Sequence, residues 1–289
     1  MKIKVVYYNH KTGNFGDELN KWIWPKIFKE YISGYCNHGK LFTEENNKEK
    51  NLFYGIGTLI NSTIPQLPNK IIFGSGAGIG SKPTVDNSYK FYFVRGPKTA
   101  ELLGLDASYV ITDPAILVHD LYINQSTKKY RVSFMPHYDS EENSYWKILC
   151  KLCGIHYISP QNKDVEFVLS EIIASKKIIT EAMHGAIVAD ALRVPWIAVQ
   201  LYSDVNDFKW ADYCKSMNLK YSPFKMPQLH PPKKYLNYFN LSIKLILSLF
   251  CLIFLSQYKK GRLSSKELLK SKLALIHSKI RDLKNNAYS

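Results

Sequence analysis

The residues best placed to do chemistry lie in the segment Thr180-Glu181-Ala182-Met183-His184-Gly185-Ala186. They follow a short apolar run, Lys177-Ile178-Ile179, and open into the small-residue stretch Ile187-Val188-Ala189-Asp190-Ala191. A strand that breaks straight into a helix leaves backbone N–H groups unpaired at the break, where an anion binds well. A histidine at such a break can exchange protons near neutral pH. On this segment alone His184 has two readings, a general acid or a buried side chain that only closes the helix start.

Five more loops fall at expected strand ends. In Thr12-Gly13-Asn14-Phe15-Gly16-Asp17, the glycines let the backbone approach a ligand, and Asn14 and Asp17 offer an amide and a carboxylate at a helix start. The plain alternative for Asp17 is an N-cap. Gly74-Ser75-Gly76 resembles a phosphate or sugar cradle, with Ser75 and Gly76 as contacts. In Val94-Arg95-Gly96-Pro97-Lys98-Thr99, Arg95 ends a strand just before a helix, a position from which a guanidinium can clamp a carboxylate or phosphate. Thr112-Asp113-Pro114 places Asp113 to bind a hydroxyl, to orient a base or simply to start a turn, and Met135-Pro136-His137 supplies a second histidine.

The elements that must hold these loops alternate. Strands are expected at Ile3–Tyr8, Asn51–Gly57, Lys70–Gly74, Lys90–Val94 and Tyr109–Thr112, with helices at Asp17–Tyr31, where Pro25 should kink the helix or split it in two, and at Pro97–Leu103. The pattern then restarts. Strands are expected at Arg131–Met135, Ile155–Ser159, Lys177–Thr180 and Trp196–Gln200, and helices at Ser144–Cys153, Val165–Ser175, His184–Arg193 and Asp207–Met217. Two βα runs imply an α/β protein with two Rossmann-like, doubly wound domains facing a cleft. The expected units are residues 1–124, residues 130–225 and C-terminal helices in residues 226–289, with the linker near Asn124–Lys129.

The chain has 289 residues, a net charge of +15 and 46% hydrophobic residues, enough for large buried cores. Residues 226–289 carry 12 Lys/Arg against 2 Asp/Glu, so the tail is the cationic part. That distribution argues against a nucleic-acid binder. Leu245–Leu255 is apolar and charge-free but too short to span a bilayer. Ser264-Ser265-Lys266-Glu267 reads as a capping box for a last helix, whose stripe is Leu269, Leu273, Ile276, Ile280 and Leu283. This tail either packs on protein or lies on an anionic membrane leaflet. Five cysteines without framework spacing point to a reduced, cytosolic setting, and no metal-ligand cluster is visible.

In order, Asn14-Phe15-Gly16-Asp17, Gly74-Ser75-Gly76, Val94-Arg95-Gly96-Pro97-Lys98-Thr99, Asp113-Pro114-Ala115, Pro136-His137 and Glu181-Ala182-Met183-His184-Gly185-Ala186 resemble the polysaccharide pyruvyl transferase family, in its exopolysaccharide branch. The resemblance spans roughly residues 3–225 and implies a fold like the two-Rossmann-domain (GT-B-like) glycosyltransferases. It implies phosphoenolpyruvate as donor, no cofactor, and a glycan or polyprenyl-diphosphate-linked sugar as acceptor. Such acceptors would place the enzyme in the cytoplasm, at the inner leaflet, with residues 241–289 touching the membrane. Arg95 matches the family's donor-contacting arginine and His184 its general acid, with Asp17 and Asp113 accepting a hydroxyl proton or orienting the sugar. Asn14, Gly16, Ser75, Gly76, Thr99, His137, Glu181 and Gly185 are the remaining expected contacts, and the helix starts at Gly96 and Gly185 would help hold the donor's anions. One departure stands out: many members carry Arg-x-His where this chain has Ala182, so a second cation, His137 or Arg193, has to be found elsewhere or is missing. A nucleotide-sugar glycosyltransferase and a non-catalytic assembly protein remain the alternatives.

Overall fold

The computed structural model describes residues 1–38, 51–66, 69–78, 80–123, 127–141, 145–202, 206–229 and 238–288. The first sheet is built from β1 (Ile3–Tyr7), β2 (Ile32–Asn37), β3 (Asn51–Tyr54), β4 (Asn69–Phe73) and β5 (Tyr89–Phe93), joined with α1 (Phe15–Phe28) and followed by α2 (Pro97–Leu103) and α3 (Val118–Leu121). The second sheet holds β6 (Ser133–Met135), β7 (His156–Tyr157), β8 (Ile178–Thr180), β9 (Trp196–Gln200) and β10 (Phe224–Lys225). Its helices are α4 (Tyr145–Leu152), α5 (Val165–Ile173), α6 (Met183–Ala191) and α7 (Asp207–Ser216), and the chain ends in α8 (Tyr238–Gln257) and α9 (Lys266–Tyr288).

Among the described residues the named strands pair in parallel, and the orders are β2-β1-β3-β4-β5 and β10-β9-β8-β6-β7. Read from its first strand, each sheet has the same winding, with a crossover reversal beside β1 in one and beside β6 in the other. In open parallel sheets the crevice at such a reversal, beyond the carboxyl ends of the strands, is where ligands bind. The two reversals border one cleft, which is lined by Tyr8 and His10 after β1, Gly57 and Thr58 after β3, His137 after β6, and Glu181 and Ala182 after β8.

Parallel strands are buried on both faces, which is why Ile3, Val5, Val6, Leu52, Phe53, Tyr54, Ile71, Ile72 and Phe73 are all inside. One apolar cluster runs from Ile3, Val5 and Phe53 through Leu19, Ile23 and Trp24 of α1 to Val168 of α5, Ile187 of α6 and Ile276 of α9. The two sheets therefore share a core beneath the cleft. α1 lies at its centre and runs through Pro25 as one helix, so the expected split into two segments does not occur. Trp24 and Phe28 pack edge-on against Phe53 and Phe73, which holds the helix across the proline.

Other expectations shift. The first helix stops at Phe28 rather than Tyr31, and β2 follows it as a half-buried edge strand whose Gly34 and polar residues carry little strand signal. Tyr109–Thr112 forms only a one-residue bridge, Val94 to Val110, because Asp106 caps a 3-10 turn over Ala107–Tyr109. Ser265, not Ser264, caps α9 through its Oγ to Leu268 N at 3.1 Å. Ser264 instead bonds the buried Asp190 of α6, its N–H donating at 2.8 Å and its hydroxyl donating as well. Asn124 of the expected linker and Ser144 of an expected helix start lie outside the described residues.

The tail divides in two. Leu269, Leu273, Ile276, Ile280 and Leu283 of α9 are buried in the shared core, so this stripe packs on protein. α8 buries Leu252 and Leu255 against the second sheet but exposes Ile243, Ile246, Leu247, Phe250 and Phe254. Its window Asn240–Gln257 has a mean hydropathy of 1.7 with 22% of it buried, long and apolar enough to cross a membrane by length and composition alone. The shorter length expected from Leu245–Leu255 left out the residues beyond Lys244, which the helix carries as a lone charge.

Candidate functional site

The cleft encloses about 620 Å³. Asn14 caps α1, its Oδ1 accepting from Gly16 N at 3.1 Å, and this turn presents Gly16 and Asp17 to the cleft. His184 comes from the first turn of α6, whose cap residue Ala182 supplies no side-chain hydrogen bond. Its Nδ1 lies against Gly16, where a Cβ would come within 2.1 Å. Position 16 therefore has to be glycine for the imidazole to sit over the start of α1. On its far side, Nε2 faces Oδ2 of Asp113 at 3.6 Å, beyond hydrogen-bond length, and both atoms are buried with no hydrogen-bond partner among the described residues. Asp113 is itself fixed, its Oδ1 accepting from Ala115 N at 3.0 Å. A proton on Nε2 directed at this carboxylate leaves Nδ1 for exchange on the α1 side.

Asp17 is 7% exposed, and burial pushes its carboxyl up to about 7; His184, Lys209 and a hydrogen bond from Asn14 partly oppose that rise. A carboxyl titrating near neutrality beside a histidine can take up or release a proton at working pH. Glu181 also reaches the cleft, but its oxygens are occupied. Oε1 accepts from Leu201 N at 2.7 Å, and Oε2 accepts from His137 N at 3.1 Å and Ser140 Oγ at 2.6 Å. It ties together the loops after β6, β8 and β9. The His137 ring lines the cleft and pairs with Asp139 at 3.2 Å, and His10 packs at a tilt against Tyr138 across the two halves.

Asn14, Gly16, Asp17, His137, Glu181 and His184 thus meet at the cleft, with Asp113 directly behind His184. Asp113 is not among the residues lining the wall; it faces the histidine from behind. Ser75, Gly76, Arg95, Thr99 and Gly185 are not on the wall either, contrary to expectation. Arg95 is 0% exposed, and all three guanidinium nitrogens donate inward: Nε to Asp212 Oδ2 at 3.1 Å, Nη1 to Thr58 Oγ1 at 2.9 Å and Nη2 to the Ala77 carbonyl at 3.0 Å. Gly76 makes room for that guanidinium, since a Cβ there would lie 2.1 Å from Cζ. Thr99 completes the knot, its N–H and hydroxyl both donating to Asp212, so the start of α2 at Gly96 is filled by a carboxylate of the protein itself. Ser75 Oγ donates to the Gly57 carbonyl at 3.0 Å. Gly185 lets α6 pack against Met135 and Thr180. Arg193 lies away from the cleft and binds Ser264.

Sequence reading missed Lys209, Asn206 and Tyr202 on the wall. All three follow β9, and the signal was available: this is a strand-end loop on the same side of the second sheet as those after β6 and β8.

The model of the family described as polysaccharide pyruvyl transferase matches residues 5–201. The chain belongs to the polysaccharide pyruvyl transferase family. It is 35% identical over 229 residues to the succinoglycan biosynthesis protein ExoV of Rhizobium meliloti (strain 1021), covering 78% of this chain and 68% of that protein. It is 25% identical over 242 residues to the uncharacterized protein L143 of Acanthamoeba polyphaga mimivirus, covering 76% of each. Among solved structures it is similar to the wall teichoic acid polymerase TagF, with a TM-score of 0.43 at 10% identity over 100% of this chain and 90% of that one. It is also similar to E. coli ADP-heptose lps heptosyltransferase II, with a TM-score of 0.35 at 11% identity over 87% and 99%. Against this pyruvyl transferase family, the position of Ala182 on the cleft wall is the notable feature, since no arginine enters the site from α6.

Arg95→Met leaves Asp212 buried without its cation and costs about 3–5 kcal/mol of stability in urea unfolding; an unchanged midpoint would contradict the knot. Folded Asp17 keeps its proton up to about 7, whereas the unfolded chain releases it near 3.8. The folded state therefore binds more protons in this interval, and Asp17 makes stability fall by about 4 kcal/mol as pH rises through it. Asp17→Asn should flatten that part of the stability–pH curve, and an unaltered slope would place the titration elsewhere.

Proposed function

We propose that this chain transfers the pyruvyl group of phosphoenolpyruvate to a sugar of a bacterial surface polysaccharide or its lipid-linked precursor, leaving a pyruvate ketal. Family membership supports the reaction class. The observation that carries the reading in this chain is the alignment of Asp113, His184 and Gly16, which fixes an imidazole at a cleft that the uncapped start of α6 also borders.

His184 as imidazolium gives its Nδ1 proton to the donor's terminal methylene, forming the methyl C–H bond as the enol double bond is consumed. Positive charge develops on the central carbon, and Asp113 steadies the imidazole through Nε2. A sugar hydroxyl attacks that carbon, and Asp17 takes the hydroxyl proton. The carbon–oxygen bond to phosphate then breaks, and phosphate leaves with the bonding pair. A second hydroxyl of the same sugar closes the ring and releases its proton, so one donor and one diol yield one ketal and one phosphate. N–H groups at the start of α6 suit the donor's carboxylate.

We also place the protein at the inner leaflet of the cytoplasmic membrane, through α8 and not α9. The outward stripe Ile243, Ile246, Leu247, Phe250 and Phe254 is exposed, Phe250 at 63%, and exposed Lys244, Lys259 and Lys260 flank it. Apolar side chains beside lysines suit an anionic lipid surface.

Phosphate release from phosphoenolpyruvate, measured with lipid-linked or synthetic sugar acceptors, tests the reaction. His184→Ala should abolish acceptor-dependent release while keeping its fold, and near-normal turnover would refute the assignment. Dependence on a sugar nucleotide in place of phosphoenolpyruvate would favour a glycosyltransferase. In flotation with vesicles containing phosphatidylglycerol, the wild-type protein should rise with the lipid and the double variant Phe250→Glu, Phe254→Glu should stay behind. Equal flotation of the two would rule out the α8 surface.

A further inference from the structure

On the transferase reading above, we infer that Lys209 is the cation that binds the donor's phosphate. Three carboxylates, Asp17, Asp139 and Glu181, line the cleft, and a ligand bearing a phosphate and a carboxylate enters such a field only against a fixed positive charge. Lys209 is the only Lys or Arg among the described residues of the wall. The two arginines that sequence offered are committed elsewhere, Arg95 to Asp212 and Arg193 to Ser264. Position 182, on the same wall, is alanine.

Lys209 stands in the first turn of α7, and α7 is anchored on both sides of it. Asn206 caps the helix, its Oδ1 accepting from Lys209 N at 3.2 Å while its amide donates to the Gly78 carbonyl of the first half. Asp212, one turn further on, is held by Arg95 and Thr99, also of the first half. The ammonium is drawn by Asp17 of α1, Glu181 after β8 and Asp139 after β6, and repelled by Arg95 after β5. It makes no direct hydrogen bond or ion pair among the described residues. Both oxygens of Glu181 already accept from other donors, and Asp139 pairs with His137, so neither neutralises it fully. Burial holds its pKa below the ordinary lysine value, which marks a desolvated cation. A compact ammonium in such a place suits a phosphate, both bound and leaving. Arg95 then acts as a positioning residue, setting where Lys209 stands through Asp212.

Titration calorimetry with phosphoenolpyruvate on the full chain tests this, using wild type, Lys209→Met and Lys209→Arg, with thermal midpoints recorded for each. We expect Lys209→Met to bind about 10- to 100-fold more weakly at an unchanged midpoint, and Lys209→Arg to bind close to wild type. Wild-type affinity should fall in the alkaline range as the ammonium loses its proton, and Lys209→Arg should not show that fall. If Lys209→Met binds like wild type, the phosphate site is elsewhere and the transferase reading stands. Equal loss in both variants assigns Lys209 to packing and also overturns the inference. If wild type itself does not bind phosphoenolpyruvate, with or without acceptor, the transferase reading fails and the inference fails with it.

Discussion

A buried charge organises this molecule. Arg95 sits at zero exposure, and an isolated guanidinium in such a place would be strongly destabilising. It is tolerated because Asp212, Thr58 and the Ala77 carbonyl surround it, and because Gly76 has no Cβ to displace it. Arg95 ends a strand of the first sheet and Asp212 belongs to a helix of the second. Packing by apolar contact alone tolerates sliding, but a knot of directed hydrogen bonds has one good geometry. The knot sets the register between the two halves, and with it the positions of every wall residue that α7 carries.

The cleft chemistry follows from that register. α1 brings Asp17 from one half, and α6 brings His184 from the other. They meet because Gly16 lets the imidazole lie over the helix start. The wall is rich in carboxylate but differentiated. Glu181 is fully engaged in tying loops, Asp139 serves His137, and Asp113 backs His184. Burial raises the Asp17 carboxyl to about 7, which suits that group to proton exchange, while the others are held in place by their hydrogen-bond and ion-pair partners.

Much of this was legible in the sequence. The strand-to-helix break before His184 and the double βα rhythm are local signals, and local signals survive in a single chain, although the first helix starts at Phe15 with Asn14 as its cap and not at Asp17. The role of Arg95 was not legible. A strand-end arginine before a helix fits an anion clamp and an interior link equally well, and its partner lies 117 residues further on. Lys209 was hidden for a similar reason, since a lysine in the first turn of an amphipathic helix reads as solvated until the opposite wall is known. β2 and β10 escaped because edge strands need little hydrophobic pattern. Equally invisible was the common winding of the two sheets, which exists in strand order and leaves no repeat in the residues.

The apolar cluster that passes from β1 through α1 to α5, α6 and α9 has a consequence for how such a protein can diversify. Halves that merely face each other across solvent can be exchanged between relatives to combine one donor site with a new acceptor site. Here, cutting between the sheets would expose Trp24, Ile187 and Ile276 together, and neither piece would keep a complete interior. Chimeras made by trading halves are thus disfavoured by the interior itself. New acceptor preferences are more readily reached by replacing the strand-end loops, which can change while the shared interior stays intact.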